Sequence, residues 1–251
     1  MRPNRILQFA TGIALSLLAA GNAFAAQANV AVAANFTEAA KEIAAAFKQK
    51  TGHEAVLSFG ASGQFYTQIT QDAPFQVFLS ADEERPKKLV DDGLGVAESR
   101  FTYAIGKLVL WSKNADLVKG EETLKAGGFS RLSIANPTAA PYGTAAVETL
   151  KALGVYDAVQ PKIVQGNSIS QAFQFIDTGN AELGFIALSQ LAGNSGGSRW
   201  LVPAALYTPI RQDAVLLKKG ASSEAAIAFV SFLRGAEARA VIEKYGYAFG
   251  N

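Results

Sequence analysis

The chain has 251 residues, of which 49% are hydrophobic and 18% are charged, and this balance fits a globular protein with one large or two small domains rather than a disordered chain. Two of the 23 basic residues, Arg2 and Arg5, lie among the first 25 residues, so the rest of the chain carries 21 basic and 21 acidic side chains. This neutrality, without a basic tail or cluster, excludes the usual footprint of a nucleic-acid-binding protein. The sequence has no cysteine, which excludes disulfides, thiolate nucleophiles and zinc–thiolate sites.

The first 25 residues have the three parts of a secretory signal peptide. Arg2 and Arg5 form a basic start, residues 6–20 are apolar, and small residues precede a cleavage site after Ala25. The sequence therefore predicts an exported protein. The alternative is an uncleaved membrane anchor, because residues 6–26 are just long enough to span a bilayer.

The first half of the remaining chain alternates between strands and helices. A short apolar strand leads to Asn35, and helical periodicity follows until Gly52, which is a typical C-terminal signal. Two more strand–helix pairs follow, with strands in residues 54–63 and 74–82. Because these strands are apolar through their length, the order predicts a mostly parallel sheet covered by helices on both faces.

The same pattern restarts after a long apolar run at residues 101–113, which Gly106 interrupts. Strands and helices alternate again until the polar stretch at residues 192–199. A final strand and one long helix at residues 223–247 close the chain. They have no obvious partner in the second half, so we expect the chain to return to the first half.

The predicted organisation is a signal peptide at residues 1–25 followed by two α/β lobes. The first lobe combines residues 26–105 with residues 212–251, and the second lobe spans residues 106–211. The fold class is therefore α/β, with each lobe a sheet flanked by helices.

Four strand-to-helix turns contain only small or uncharged residues, and they include Asn35, Ser62, Tyr142 and Ser168. In open α/β sheets, ligands bind at the carboxyl ends of the strands, near helix N-termini. Several helix N-termini together bind an anion without a cationic side chain, through unpaired N–H groups and the helix dipole. The turns, two from each half, predict a site for a small oxyanion. Fixed donors favour a fully ionised anion, because a protonated one would leave its own O–H group unmatched.

Each turn also has a simpler explanation. Asn35 and Ser168 are good N-caps, and Gly60 and Gly63 suit tight turns. Capping alone would explain any one of these turns, so the prediction of a site rests on their number.

Ser62 raises the alternative of an exported serine hydrolase. The stretch around it lacks the full G-x-S-x-G pattern, because Gln64 stands where the second glycine belongs. The only histidine, His53, lies in a glycine-containing turn. We therefore expect a binding protein and not an enzyme.

Five stretches are distinctive in combination: residues 30–52, 57–69, 73–82, 152–164 and 244–249. In these stretches, and over about residues 28–249, the chain resembles the periplasmic molybdate-binding proteins that serve ABC importers. The resemblance implies a two-lobed type II periplasmic-binding-protein fold that closes over its ligand by a hinge. It also implies a periplasmic monomer without a cofactor, which holds molybdate or tungstate through neutral donors and passes it to a membrane permease.

The resemblance further implies four ligand-binding residues. Asn35 and Ser62 match side-chain donors of the first lobe, whereas Tyr142 and Ile169 match backbone N–H donors of the second. All four would contact the oxygens of the anion, with no direct metal ligand. The chain departs from the pattern at Ala187, where some members of the family have a tyrosine whose hydroxyl contacts the ligand, and Tyr142 is the candidate replacement.

Two further alternatives stay open at this point. One is a receptor of the same fold for another tetrahedral oxyanion, such as sulfate or phosphate. The other is a signalling receptor that presents its bound state to a membrane sensor.

Overall fold

The computed structural model describes residues 26–250, so the predicted signal peptide at residues 1–25, and with it nearly all of the alternative membrane anchor, lies outside the described residues. Residues 26–250 form two five-stranded sheets, each covered by helices. This two-lobed α/β architecture confirms the predicted fold class. No helix within residues 26–250 has the length and apolar character needed to cross a membrane.

The first lobe is built on the strands β1 (Gln27–Ala33), β2 (Glu54–Gly60), β3 (Val77–Leu79), β4 (Phe101–Gly106) and β10 (Ile210–Leu216). Their order in the sheet is β2–β1–β3–β10–β4. Strand β1 is parallel to β2 and β3, whereas β10 is antiparallel to both of its neighbours. The last strand of the chain therefore lies inside the sheet that the first four strands begin.

The second lobe is built on the strands β5 (Leu108–Ser112), β6 (Leu132–Ala135), β7 (Ile163–Gly166), β8 (Leu183–Ala187) and β9 (Ser198–Leu201). Their order is β7–β6–β8–β5–β9. Strand β6 is parallel to β7 and β8, and β5 is antiparallel to β8 and β9.

Both sheets are thus mixed, whereas the sequence predicted mostly parallel strands. Each sheet keeps a parallel core of three strands, which helical crossovers connect. Four strands carry the chain between the lobes: β4, β5, β9 and β10. No helical crossover connects any of them to a neighbour that runs antiparallel to it. Their direction is therefore set by the passage of the chain between the lobes.

Nine α-helices cover the sheets in residues 26–250: α1 (Thr37–Thr51), α2 (Ser62–Thr70), α3 (Glu84–Asp91), α4 (Glu122–Ala126), α5 (Pro141–Ala152), α6 (Tyr156–Val159), α7 (Ile169–Asp177), α8 (Glu224–Leu233) and α9 (Ala236–Lys244). The closing helix, expected as one long element, is divided into α8 and α9. Gly235 between them is extended, and its N–H donates to the carbonyl of Phe232 at 2.9 Å. Glycine is a weak helix former, so a break costs little at this position.

Strand β1 shows how the sequence builds two apolar layers. Alternate residues of a strand face opposite sides of the sheet. Val30 and Val32 pack on the side of α1 and α8, together with Phe229. Ala31 packs on the other side, together with Phe65 of α2. Apolar residues also cover both faces of the second sheet. Because the faces of both sheets are covered, a ligand-binding site is expected in the loops at the strand ends.

The helix starts lie at the carboxyl ends of the parallel strands. Short loops connect β2 to α2, β6 to α5 and β7 to α7, and a 3₁₀ turn, Ala34–Phe36, connects β1 to α1. Ser168 caps α7, because its side chain accepts a hydrogen bond from the N–H of Gln171 at 3.3 Å. Asn35 lies inside the 3₁₀ turn and its side chain caps no helix. Capping therefore explains Ser168 but not Asn35.

Candidate functional site

A small cavity lies where the two lobes meet. Its volume is about 10 Å³. Its lining is uncharged and comes from both lobes: Ala33, Ala34, Asn35, Gly60, Ala61, Ser62, Ala81, Ala140, Pro141, Tyr142 and Ile169. This volume is on the scale of about one water molecule, and it is far below the roughly 300–1,000 Å³ of pockets for drug-sized ligands. The cavity therefore suits a compact ion.

All four residues that the sequence predicted for the site line this cavity. Ser62 and Ile169 are the first residues of α2 and α7, Tyr142 is the second residue of α5, and Asn35 lies in the turn before α1. The N–H groups of a first helical turn have no partner inside their own helix, and the dipole makes this end positive. The structure thus brings together donors from two turns of each lobe.

Two of the lining residues carry hydroxyl groups whose oxygens already accept hydrogen bonds from the protein. The Oγ of Ser62 accepts from the N–H of Ala81 at 2.9 Å, and the Oη of Tyr142 accepts from Nε2 of Gln212 at 3.3 Å. No residue in the described part of the chain accepts the proton of either hydroxyl. Burial raises the pKa of Tyr142 well above that of a free tyrosine, so its hydroxyl stays a neutral donor. Both protons remain free for a ligand.

The side chain of Asn35 is engaged within the protein. Its Nδ2 donates to Oε1 of Gln212 at 2.8 Å and to Oη of Tyr247 at 3.0 Å, which uses both amide hydrogens. Its backbone carbonyl accepts from Oγ of Ser189 at 2.8 Å and from Oη of Tyr247 at 2.8 Å. The side-chain amide thus holds the surrounding structure, and the backbone N–H of Asn35 is the donor left for a ligand.

Hydrogen bonds between the lobes surround the cavity. Three of them join the N–H of Gly63 to the carbonyl of Ala139 at 2.9 Å, Nη2 of Arg85 to the carbonyl of Thr138 at 3.1 Å, and Oγ of Ser170 to the carbonyl of Ala34 at 3.3 Å. Gly63 is required by this approach, because a Cβ there would lie 3.0 Å from the Cα of Ala139. The structure therefore shows the lobes in direct contact.

A larger cleft of about 290 Å³ adjoins the cavity and shares Ala81 and Pro141 with it. Its lining includes four carboxylates and two guanidinium groups: Asp82, Glu83, Glu84, Glu148, Arg85 and Arg211. Arg85 is paired with Asp82, and Arg211 is paired with Glu83. Because carboxylates outnumber the paired arginines, the small cavity is the better anion site.

Sequence reasoning missed the buried polar residues behind the cavity. Gln212 is fully buried, and its Oε1 also accepts from Oη of Tyr103 at 3.1 Å. Asp213, beside it, is buried and paired with Arg100. The available signal was the run of three polar residues, Arg211, Gln212 and Asp213, near the start of a strand whose last three residues are apolar.

Two other positions from the sequence analysis lie away from the cavity lining. Ala187 is fully buried at the end of β8 and packs in the core of the second lobe. Tyr142 is therefore the tyrosine that the structure places at the cavity. His53 precedes β2, at the end opposite to Ser62, and its Nδ1 accepts from the N–H of Ala26 at 3.4 Å.

Comparisons with known proteins agree with this geometry. The chain matches the family model of bacterial extracellular solute-binding proteins over residues 28–248. It is 54% identical to the molybdate-binding protein ModA of Rhodobacter capsulatus over 245 residues, which cover 98% of this chain and 97% of that protein. It is 55% identical to ModA of Azotobacter vinelandii over 227 residues, which cover 89% and 90%.

The solved structure of the periplasmic molybdate-binding protein of Azotobacter vinelandii has a TM-score of 0.86 to this chain at 42% identity. The similarity covers 89% of this chain and 100% of that one. By sequence and by fold, this chain belongs to the family of bacterial extracellular solute-binding proteins.

Proposed function

We propose that this protein captures molybdate or tungstate in the cavity between its lobes and delivers it to the membrane permease of an ABC importer. One observation carries the proposal. The starts of α2, α5 and α7 line one uncharged cavity, and no described residue accepts the hydroxyl protons of two lining residues, Ser62 and Tyr142. The molybdate-binding relatives at 54% and 55% identity support the metal oxyanion as the ligand.

The chemistry of the lining favours a fully ionised anion. The backbone N–H groups of Asn35, Ser62, Tyr142 and Ile169 act as fixed donors near positive helix ends. The lining includes no carboxylate, so an oxyanion with its own proton would lack a charged acceptor for that O–H group. In this proposal, protein donors contact the oxygens alone, and no protein atom binds the metal.

We also propose a binding role without catalysis. A serine hydrolase needs a base beside its nucleophile. The Oγ of Ser62 instead contacts the backbone N–H of Ala81, and the lining of the cavity contains no histidine or carboxylate. The membership in a solute-binding family supports this role.

We further propose that the protein acts in the periplasm as a monomer without a cofactor, after removal of the signal peptide. The sequence predicted residues 26–105 with 212–251 as one lobe and residues 106–211 as the other, but Gly106, Ile210 and Arg211 belong to β4 and β10 of the first sheet. We therefore propose residues 26–106 with 210–251 as one moving lobe and residues 107–209 as the other. The strands β4, β5, β9 and β10 lie at the passage between them.

Isothermal titration calorimetry of the chain that begins at Ala26 tests the proposal, with molybdate, tungstate, sulfate and phosphate at matched salt. We expect molybdate and tungstate to bind with similar affinity, and sulfate and phosphate to bind far more weakly. Displacement of molybdate by sulfate at a comparable concentration would identify a general oxyanion receptor instead. Binding of none of the four anions would refute oxyanion capture.

A further inference from the structure

Gln212 occupies an unusual place in the first sheet. It is fully buried in β10, the strand through which the chain returns from the second lobe. The register of β10 against β4 shifts between Gln212 and Asp213, because one extra residue, Tyr103, separates their partners in β4. Gln212 and Asp213 are consecutive polar residues, and both are buried. The strand therefore carries an amide to the junction of the two lobes.

The amide of Gln212 contacts one cavity residue from each lobe. Its Oε1 accepts from Nδ2 of Asn35 at 2.8 Å, and its Nε2 donates to Oη of Tyr142 at 3.3 Å. Asn35 lies in a turn of the first lobe, and Tyr142 begins a helix of the second. A single buried side chain thus connects the two halves of the site.

The direction of these hydrogen bonds determines what the site can donate. Because Oη of Tyr142 accepts from Gln212, the proton of this hydroxyl points away from Gln212. Because Oε1 of Gln212 accepts from Asn35, the amide of Asn35 is held in the first lobe and its turn is fixed. The side-chain amide of Gln212 therefore orients the hydroxyl of Tyr142 and holds the turn that contains Asn35.

The packing of Gln212 and Tyr142 requires a glycine at position 106. Gly106 ends β4 beside Gln212 and Tyr142. A Cβ at Gly106 would lie 2.1 Å from Oη of Tyr142 and 2.7 Å from Nε2 of Gln212. The tyrosine hydroxyl occupies the space that a side chain at this position would need.

We propose that Gln212 is a positioning residue for anion binding, which holds Tyr142 and the turn of Asn35 in the arrangement of the closed lobes. This inference rests on the proposed function. Gln212 belongs to the first sheet and Tyr142 to the second lobe, so separation of the lobes breaks their hydrogen bond. The bond therefore stabilises the closed, ligand-bound form and slows release of the anion.

The variants Gln212→Met, Tyr142→Phe and their combination test this role. Methionine keeps the length of the side chain and removes all three of its hydrogen bonds, with Asn35, Tyr103 and Tyr142. We expect each single variant to bind molybdate about tenfold more weakly, mainly through faster dissociation. Because the two changes share the bond between Gln212 and Tyr142, we expect the double variant to lose less affinity than the sum of the two single losses. Calorimetry gives the affinities, and stopped-flow fluorescence gives the dissociation rates.

Gln212→Glu keeps the contact with Asn35 and removes the hydrogen bond that Gln212 donates to Tyr142. A carboxylate still accepts from Asn35 and Tyr103, but it cannot donate to Tyr142 and instead attracts the proton of that hydroxyl. It also places a negative charge behind an anion site. We expect this variant to lose more affinity than Gln212→Met does.

The outcomes separate the inference from the proposed function. Unchanged molybdate affinity in Gln212→Met, together with a lower free energy of unfolding in urea, would show a purely structural role and overturn the inference. Fully additive losses in the double variant would overturn it as well. Failure of the wild-type protein to bind molybdate or tungstate would refute the proposed function, and with it the premise of the inference.

Discussion

The small cavity and the cleft beside it share Ala81 and Pro141, but their chemistry differs completely. The cavity is uncharged and holds about 10 Å³, whereas the cleft holds about 290 Å³ and is lined by six charged side chains. Charge at the junction of the lobes is therefore kept outside the cavity. In the proposed anion site, oriented backbone N–H groups and hydroxyls therefore take the place of cations.

A negative charge placed inside the cavity should have the largest effect. Ser62→Asp puts a carboxylate beside the proposed anion, where neither charge has a cationic partner. We expect the free energy of molybdate binding to weaken by more than about 3 kcal/mol, measured by calorimetry.

The matched control for Ser62→Asp places the same charge in the cleft. Thr144 is an exposed residue of the cleft lining, and Thr144→Asp adds a carboxylate among existing charges. We expect this variant to change the binding free energy by less than about 1 kcal/mol. Equal losses in the two variants would contradict the distinction between cavity and cleft.

Removal of one hydroxyl donor should have the next largest effect. Ser62→Ala keeps the helix start and deletes the proton that no described residue accepts. A charge-assisted hydrogen bond is worth about 1.5–3 kcal/mol, so we expect a loss of that size in the binding free energy. Ser223→Ala removes the cap of α8, far from the cavity, and should lower the free energy of unfolding by about 1 kcal/mol without changing affinity. A loss of affinity in the cap variant alone would contradict the assignment.

The neutral donors of the cavity also predict a dependence on pH. Burial raises the pKa of Tyr142, so this tyrosine ionises at higher pH in the folded than in the unfolded chain. Its contribution to stability is therefore complete below about pH 10 and is lost as the pH rises above that value.

Tyr142→Phe removes this contribution and tests whether Tyr142 lowers the stability as the pH rises. In urea unfolding between about pH 8 and about pH 11, the free energy of unfolding should fall less steeply in the variant, by up to about 1.4 kcal/mol per pH unit. Identical slopes in the variant and the wild-type protein would show that Tyr142 is not the group responsible.

The smallest effect is expected at the edge of the cleft. Arg85 donates from the first lobe to the carbonyl of Thr138 in the second. Because this contact is exposed, Arg85→Ala should weaken molybdate binding by only about 0.5–1 kcal/mol, through faster dissociation. Lys87→Ala on the same helix, whose side chain pairs with Asp91, is the control and should leave the dissociation rate unchanged. A loss of molybdate affinity in Arg85→Ala larger than that in Ser62→Ala would show that charged residues of the cleft contribute more to binding than the uncharged cavity does.

The sequence was sufficient to predict the positions in the fold of those candidate site residues that depend on local pattern. Ser62 and Ile169 each begin a helix directly after a strand, so their positions at one edge of a sheet follow from the order of the elements. Tyr142 follows from the same reasoning. The two-lobed fold follows from the repeated alternation of strands and helices.

The buried network could not be predicted in this way. The bond between Asn35 and Gln212 joins residues 177 positions apart, and Gln212 lies where the register between β10 and β4 shifts. Neither periodicity nor turn composition carries that information. The mixed sheets were missed for a related reason, because strand direction in β10 depends on where the chain re-enters the first lobe.

The position of β10 also sets the order in which the lobes can be completed. All strands of the second sheet lie in one continuous segment, residues 108–201, whereas β10 enters the first sheet between β3 and β4 only after that segment. Closing a long loop costs conformational entropy, and such distant pairings form slowly. The second lobe can therefore acquire its structure early, while the first lobe waits for the C-terminal part of the chain. The hydrogen bonds of Gln212 with Asn35 and Tyr142 exist only when that last pairing has formed.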